Sequence, residues 1–214
     1  MLERDVQIPT GEAVLEGELK VPATATGIVL FAHGSGSSRH SPRNQFVARV
    51  IREAGLATLL FDLLTREEES IDMVTRELRF DIGLLARRLV DATDWIASQD
   101  DTQHLRVGYF GSSTGAAAAL IAAAELGDQI GAVVSRGGRP DLAGAALPRV
   151  LSPTLLIVGG RDFGVIELNQ QAYAQLRCRK ELKIVPGATH LFEEPGALEE
   201  VARLAAEWCS EHLR

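Results

Sequence analysis

Six short apolar runs, at residues 27–31, 57–61, 107–110, 130–134, 154–158 and 182–185, recur along the chain with a helical stretch between nearly every pair. Runs of strand length that are apolar at consecutive positions suit strands buried on both faces. A parallel sheet meets that condition, because each connection to the next strand needs a dozen or more residues and lays a helix over one face. Ahead of these runs, residues 6–9 and 13–19 alternate partially around Thr10-Gly11-Glu12, which predicts an antiparallel hairpin. The expected fold is an α/β domain: a mostly parallel, doubly wound sheet with an N-terminal antiparallel hairpin. No repeat, low-complexity tract or linker breaks the alternation. The 214 residues, 46% of them hydrophobic, suit one domain over 1–214 with a sizeable core.

The helical stretches carry their own pattern. Val74, Leu78, Ile82, Leu85, Leu89, Ala92 and Ile96 recur at spacings of three and four, predicting one helix with Arg76, Glu77, Arg87 and Arg88 off its buried face. The last helix, about 196–212, turns Leu198, Val201, Leu204, Ala205 and Trp208 inward. Between 134 and 154 there is room for only a short helix near 142–147, so no helical cap is expected there. The pocket should be shallow and open, covered by residues 64–72, with Glu67, Glu68 and Glu69 in a solvated charged loop.

Composition narrows the partners. A net charge of −7 and a pI near 5.3 exclude the basic face that nucleic acid or an anionic membrane requires. Met1-Leu-Glu-Arg-Asp lacks a basic stretch leading into an apolar core, and no apolar run approaches the ~20 residues that span a bilayer. A cytoplasmic protein follows, either a monomer or a small homo-oligomer. Cys178 and Cys209 have no Cys-x-x-Cys or histidine spacing and read as ordinary thiols, so no metal is expected. Gly34-Ser-Gly-Ser-Ser38 is not a phosphate cradle: Arg39 stands where a third glycine would be needed.

In an open parallel sheet, chemistry gathers beyond the carboxyl ends of the strands. Gly111-Ser112-Ser113-Thr114-Gly115 sits there, between an apolar run and an alanine-rich one, where a strand turns sharply into a helix. Side chains at Gly111 or Gly115 would collide with neighbouring backbone, and the turn would lift the Ser113 hydroxyl above the sheet. A serine hydroxyl needs a base to take its proton, and that base needs a carboxylate to fix its tautomer. His190, after the run at 182–185, and Asp162, after the run at 154–158, supply both; Asp141 is an alternative acid. Thr114, following the nucleophile, offers one backbone N–H to a developing oxyanion. The loop after His33 offers a second, through Ser35 in preference to Gly36. His33 reads as a loop brace.

The motifs at residues 33–44, Gly111-Ser-Ser-Thr-Gly115, Ser135-Arg-Gly-Gly-Arg-Pro-Asp141, Gly159-Gly-Arg-Asp162 and Gly187-Ala-Thr-His190 make the chain resemble an α/β-hydrolase of the dienelactone hydrolase-like branch. The resemblance implies the α/β-hydrolase fold with little or no cap, a Ser113-Asp162-His190 triad, an oxyanion hole at Ser35 and Thr114, and no cofactor. Dienelactone hydrolases use a cysteine where this chain has Ser113. The implied activity is cleavage of small carboxylic esters, with lactones, thioesters, acyl transfer, carbon–carbon hydrolysis on the same triad, or a non-catalytic binding role as rivals. Gly34, Gly36, Arg39, His40, Arg136 and Phe163 are the candidate substrate-binding residues. Arg39, Arg43, Arg136, Arg139 and Arg161 all follow strand ends, and such a basic rim would favour an anionic ester.

Overall fold

The structure is a computed structural model that describes residues 1–11 and 13–214. Its framework is one eight-stranded sheet in the order β1-β2-β4-β3-β5-β6-β7-β8. Strands β1 (Leu2–Thr10) and β2 (Ala13–Val21) form the expected hairpin, longer than its apolar pattern implied; Glu12 of its turn lies outside the described residues. The hairpin adds antiparallel to β4 (Ala57–Phe61). The strands β3 (Gly27–Ala32), β4, β5 (Arg106–Ser112), β6 (Ile130–Arg136), β7 (Thr154–Gly159) and β8 (Lys180–Val185) run parallel. This is the α/β-hydrolase fold. Every residue of β3, β4 and β7 is buried, as consecutive apolar runs require.

Helices cover both faces. On one lie α1 (Pro42–Glu53) and α6 (Ala197–His212), packed against each other over Phe31, Phe110, Val134 and Ile157. On the other lie α3 (Ile82–Ala97), α4 (Thr114–Leu126) and α5 (Phe163–Gln175), with a kinked 3₁₀ stretch, Pro140–Arg149, in place of the short helix expected at 142–147. Helix α4 runs under its neighbours with Ala116, Ala117, Ala118 and Ala119 fully buried, and only methyl-sized side chains allow such an approach to the sheet.

The single helix expected from Val74 to Ile96 is instead three pieces: α2 (Arg66–Thr75), a 3₁₀ turn at Leu78–Phe80, and α3. Arg76 ends α2 in the left-handed region at φ 58°, and Asp81 starts α3 by accepting from the Leu84 N–H at 2.9 Å. Val74 is consequently exposed. Two further expectations fail here. Arg88 is buried and forms two bonds to the Glu68 carboxylate, at 3.0 and 2.7 Å. Glu67, Glu68 and Glu69 form the first turn of α2, where Glu68 completes a capping box with Thr65.

Candidate active site

The elbow takes the form its glycines dictate. Ser113 has φ 50° and ψ −121°, a region that L-residues rarely enter. A Cβ on Gly111 would lie 2.5 Å from the Ala116 Cα, and one on Gly115 would lie 2.5 Å from the His33 carbonyl oxygen and closer still to that of Ala32. The turn is held by Ser113 O, which accepts from the Arg139 N–H at 3.0 Å and the Ala116 N–H at 3.1 Å. Ser112 points away, as expected, and its hydroxyl donates to Asn44 Oδ1 at 3.3 Å.

Asp162 and His190 arrive from the ends of β7 and β8. The Nδ1 of His190 lies 2.6 Å from Asp162 Oδ2, and Asp141 is engaged elsewhere, gripping Arg139 through bonds of 2.9 and 2.8 Å. The carboxylate that meets the histidine is therefore Asp162. Glu194 fixes the histidine loop by accepting from the Thr189 N–H at 3.0 Å and its hydroxyl at 2.6 Å. Those bonds hold the Glu194 carboxyl below the usual range. Nothing in the sequence pattern had singled out Glu194 for this role. Gly137, at φ 50°, packs on the other side of the histidine: a Cβ there would lie 3.6 Å from the His190 ring. Among the described residues no hydrogen bond joins His190 to the Ser113 hydroxyl, an arrangement that commonly tightens only with substrate present.

Across the strand end, the Ser35 and Thr114 hydroxyls are bonded at 2.9 Å, which ties the loop after β3 to the start of α4. Neither amide donates to an acceptor among the described residues. His33 braces this loop from below: Nδ1 lies 3.0 Å from Gly34 O, and Nε2 accepts from the Leu63 N–H at 3.0 Å. Burial pushes its pKa down, keeping it neutral as that acceptor role requires.

A cavity of about 140 Å³ extends from Ser35 and Gly36 toward α2, lined by Leu63, Leu64, Met73 and Leu85 with Asp72 and Arg79 at its edge. Its cover is thus the expected segment, continued to Arg79. Arg79 is bound to Asp72 through its backbone N–H at 3.0 Å and Nε at 2.6 Å, and its carbonyl accepts from the Ser35 hydroxyl at 3.3 Å. Burial raises the Asp72 carboxyl, but these Arg79 bonds outweigh it and the net shift is downward.

The basic rim does not form as a set. Arg39 pairs with Asp62 and Glu16, and Arg139 with Asp141. Arg136 is buried on the α1 side, while His40 and Phe163 are exposed, Phe163 to 76%. Gly34 and Gly36 lie on the Ser35 loop as expected, and Gly34 touches the elbow: a Cβ on it would lie 3.1 Å from that of Ser113.

The dienelactone hydrolase family model matches residues 13–212. The chain belongs to the dienelactone hydrolase family. It is 64% identical to a dienelactone hydrolase from Anabaena variabilis, covering 100% of this chain and 99% of that one with a TM-score of 0.98. An esterase of Pyrococcus furiosus shares the fold at 19% identity, covering 100% of this chain and 94% of that one with a TM-score of 0.79. A Mycobacterium tuberculosis protein provisionally named a phosphoribosyl transferase is 60% identical over 211 residues, which are 99% of this chain and 47% of that one. The chain thus spans about half the length of that curated relative. No helix among the described residues is long and apolar enough to cross a membrane.

Proposed function

We propose that this hydrolase-family enzyme is a serine hydrolase that cleaves small carboxylic esters through an acyl-enzyme on Ser113. The observation that carries this reading is the pairing of a strained serine at a strand-to-helix elbow with a histidine bound to Asp162 at 2.6 Å. In this reading His190 takes the Ser113 proton as the oxygen attacks the ester carbonyl. The Ser35 and Thr114 amides hold the oxyanion, and His190 then returns the proton to the leaving alcohol. Water, deprotonated by His190, frees the acid. The 140 Å³ cavity beside Ser35 fits a short acyl chain rather than a long lipid tail.

The family match and the esterase fold neighbour support hydrolysis. The name borne by the mycobacterial relative belongs to a protein more than twice as long and is not carried to this chain. A panel of nitrophenyl esters of two to eight carbons tests the reading. Turnover should peak at short acyl lengths, a fluorophosphonate probe should label Ser113, and Ser113→Ala should lower kcat by about 10⁴ to 10⁶. Unlabelled serine with unchanged turnover in the variant rejects it.

A further inference from the structure

The end of β6 carries a charge that this chemistry leaves unused. Arg136 is 8% exposed, and its Nε and Nη1 are buried without a hydrogen-bond partner among the described residues. A guanidinium taken out of water without a carboxylate is costly, and three arginines near the site avoid that cost. Arg39 has Asp62 and Glu16, Arg79 has Asp72, and Arg139 has Asp141. A chain of net charge −7 does not lack acids, yet among the described residues none pairs with Arg136.

What stands beside it is a second cation. Burial pushes the Arg136 pKa down to about 10, and Arg43, in the first turn of α1, pushes in the same direction. Arg43 Nε is also buried and unpartnered, and its Nη1 reaches only the exposed Glu193, at 3.5 Å. Two like charges with unused donors lie close enough to act on one another, and five-donor guanidinium forks match the oxygens of a carboxylate or phosphoryl group.

Their place relates them to the reacting atoms. Arg136 pairs with Ser112 across the parallel ladder, so both side chains lie on the face that α1 covers, where Ser112 bonds Asn44. The Arg136 carbonyl accepts from the Ser113 N–H at 3.4 Å, and the next residue, Gly137, packs against His190. The Arg43–Glu193 pair spans from α1 to the loop that carries His190. A group held by both arginines would therefore sit between α1 and that loop, beside the elbow and on the opposite face of the sheet from α4.

We propose that Arg136 and Arg43 form an oxyanion-binding subsite that takes a carboxylate or phosphoryl group of the substrate next to Ser113. Its role in catalysis rests on the serine-hydrolase reading; its binding of anions does not. Thermal melts at fixed pH and ionic strength, in chloride, acetate, succinate or inorganic phosphate, read binding directly. At ten times Kd the preferred anion should raise the wild-type Tm by roughly 3–5 °C over chloride. Carboxylates acting without phosphate, or the reverse, identify the group. Arg136→Met should melt higher than wild type in chloride, having lost an unpaired buried cation, and should show no anion-specific rise. Equal rises in wild type and variant, or none in either, overturn the subsite.

Kinetics supply the second arm. Arg136→Met should lower kcat/KM for a nitrophenyl hemisuccinate about tenfold more than for the neutral butyrate ester, and through KM. Equal losses on both esters overturn the substrate role. If wild type hydrolyses neither ester yet keeps an anion-dependent melting shift that Arg136→Met abolishes, the subsite stands and the hydrolase reading fails.

Discussion

A methyl group at position 115 has nowhere to go, because the two nearest atoms are backbone oxygens of Ala32 and His33 that no rotamer can move aside. Gly115→Ala must push α4 away from the end of β3, and with it the loop that leads through Gly34 to Ser35. We expect a loss of about 3 kcal/mol or more, the upper range for overpacking, seen as a fall in Tm of roughly 6–12 °C. Ester hydrolysis should fall further than the folded fraction does, since the Ser35 amide moves with the loop. Gly164→Ala is the control: no atom lies within 4 Å of its Cβ position, and its stability should stay within 1 kcal/mol of wild type or rise. A similar response at both positions would mean that the close approach at Gly115 does not set the elbow. Residues of this kind were legible in the sequence, since Gly-x-Ser-x-Gly states a steric demand that any fold must meet. The isolation of Arg136 and the capping of Thr189 by Glu194 were not, because a partner is chosen by which loops meet. Five arginines after strand ends looked alike in sequence, yet Arg39 found an acid on a neighbouring loop, Arg139 one two residues on, and Arg136 met another arginine.

At the scale of elements, the errors in the sequence reading share one cause. The spacing of Val74, Leu78 and Ile82 continued the period of α3, and nothing in hydrophobicity alone marks where a helix stops. The stops were present as capping chemistry: Thr65-x-x-Glu68 opens α2, and Asp81 opens α3. Breaking the helix lets α2 fold back over the Ser35 loop as a cover, and Glu68 then meets Arg88 of α3. The strands were easier, because a strand buried on both faces announces itself through every residue; all six parallel strands fell within two residues of their apolar runs, although the edge strand β8 is buried only at Val185. The Glu68–Arg88 pair predicts how the cover is held. Burial raises the Glu68 carboxyl, but the Arg88 bonds outweigh it and its net shift is downward. Glu68→Gln leaves Arg88 buried without its countercharge and should cost about 2 kcal/mol, discounted from a fully buried pair because Glu68 is a quarter exposed. Arg88→Met with Glu68→Gln should cost less than the sum of the single changes by about 1 kcal/mol or more. Additive losses in a urea-melt cycle would show that capping, not the ion pair, fastens α2.

Over the whole molecule, opposite burial effects set how stability responds to acid. His33 and His212 are both shifted below the ordinary histidine pKa of 6.5, chiefly by burial, and lie far apart in the chain. A group with a lowered pKa in the folded state binds its proton first in the unfolded chain. Stability is therefore whole above about pH 6.5 and falls as the pH drops from there toward the folded values. A second loss follows at lower pH. Glu18, Glu68 and Asp72 carry lowered carboxyl pKa values because Lys20, Arg88 and Arg79 outweigh their burial; their contribution is present above the unfolded carboxylate range and disappears as they protonate. Glu69 works against this second stage, since burial raises its pKa and folding then takes up a proton earlier than the unfolded chain does. The two stages separate by substitution. His33→Gln keeps an acceptor for the Leu63 N–H, and with His212→Gln it removes both early-titrating groups. Urea melts should show wild-type stability declining between pH 6.5 and 5, and a flat response over that span in the double variant. Both proteins should decline together below about pH 4.5. A wild-type curve that is level from pH 7.5 to 5 would mean that the histidines do not resist protonation on folding. His33 would then be a doubtful brace for the Ser35 loop, since a protonated ring cannot accept from Leu63.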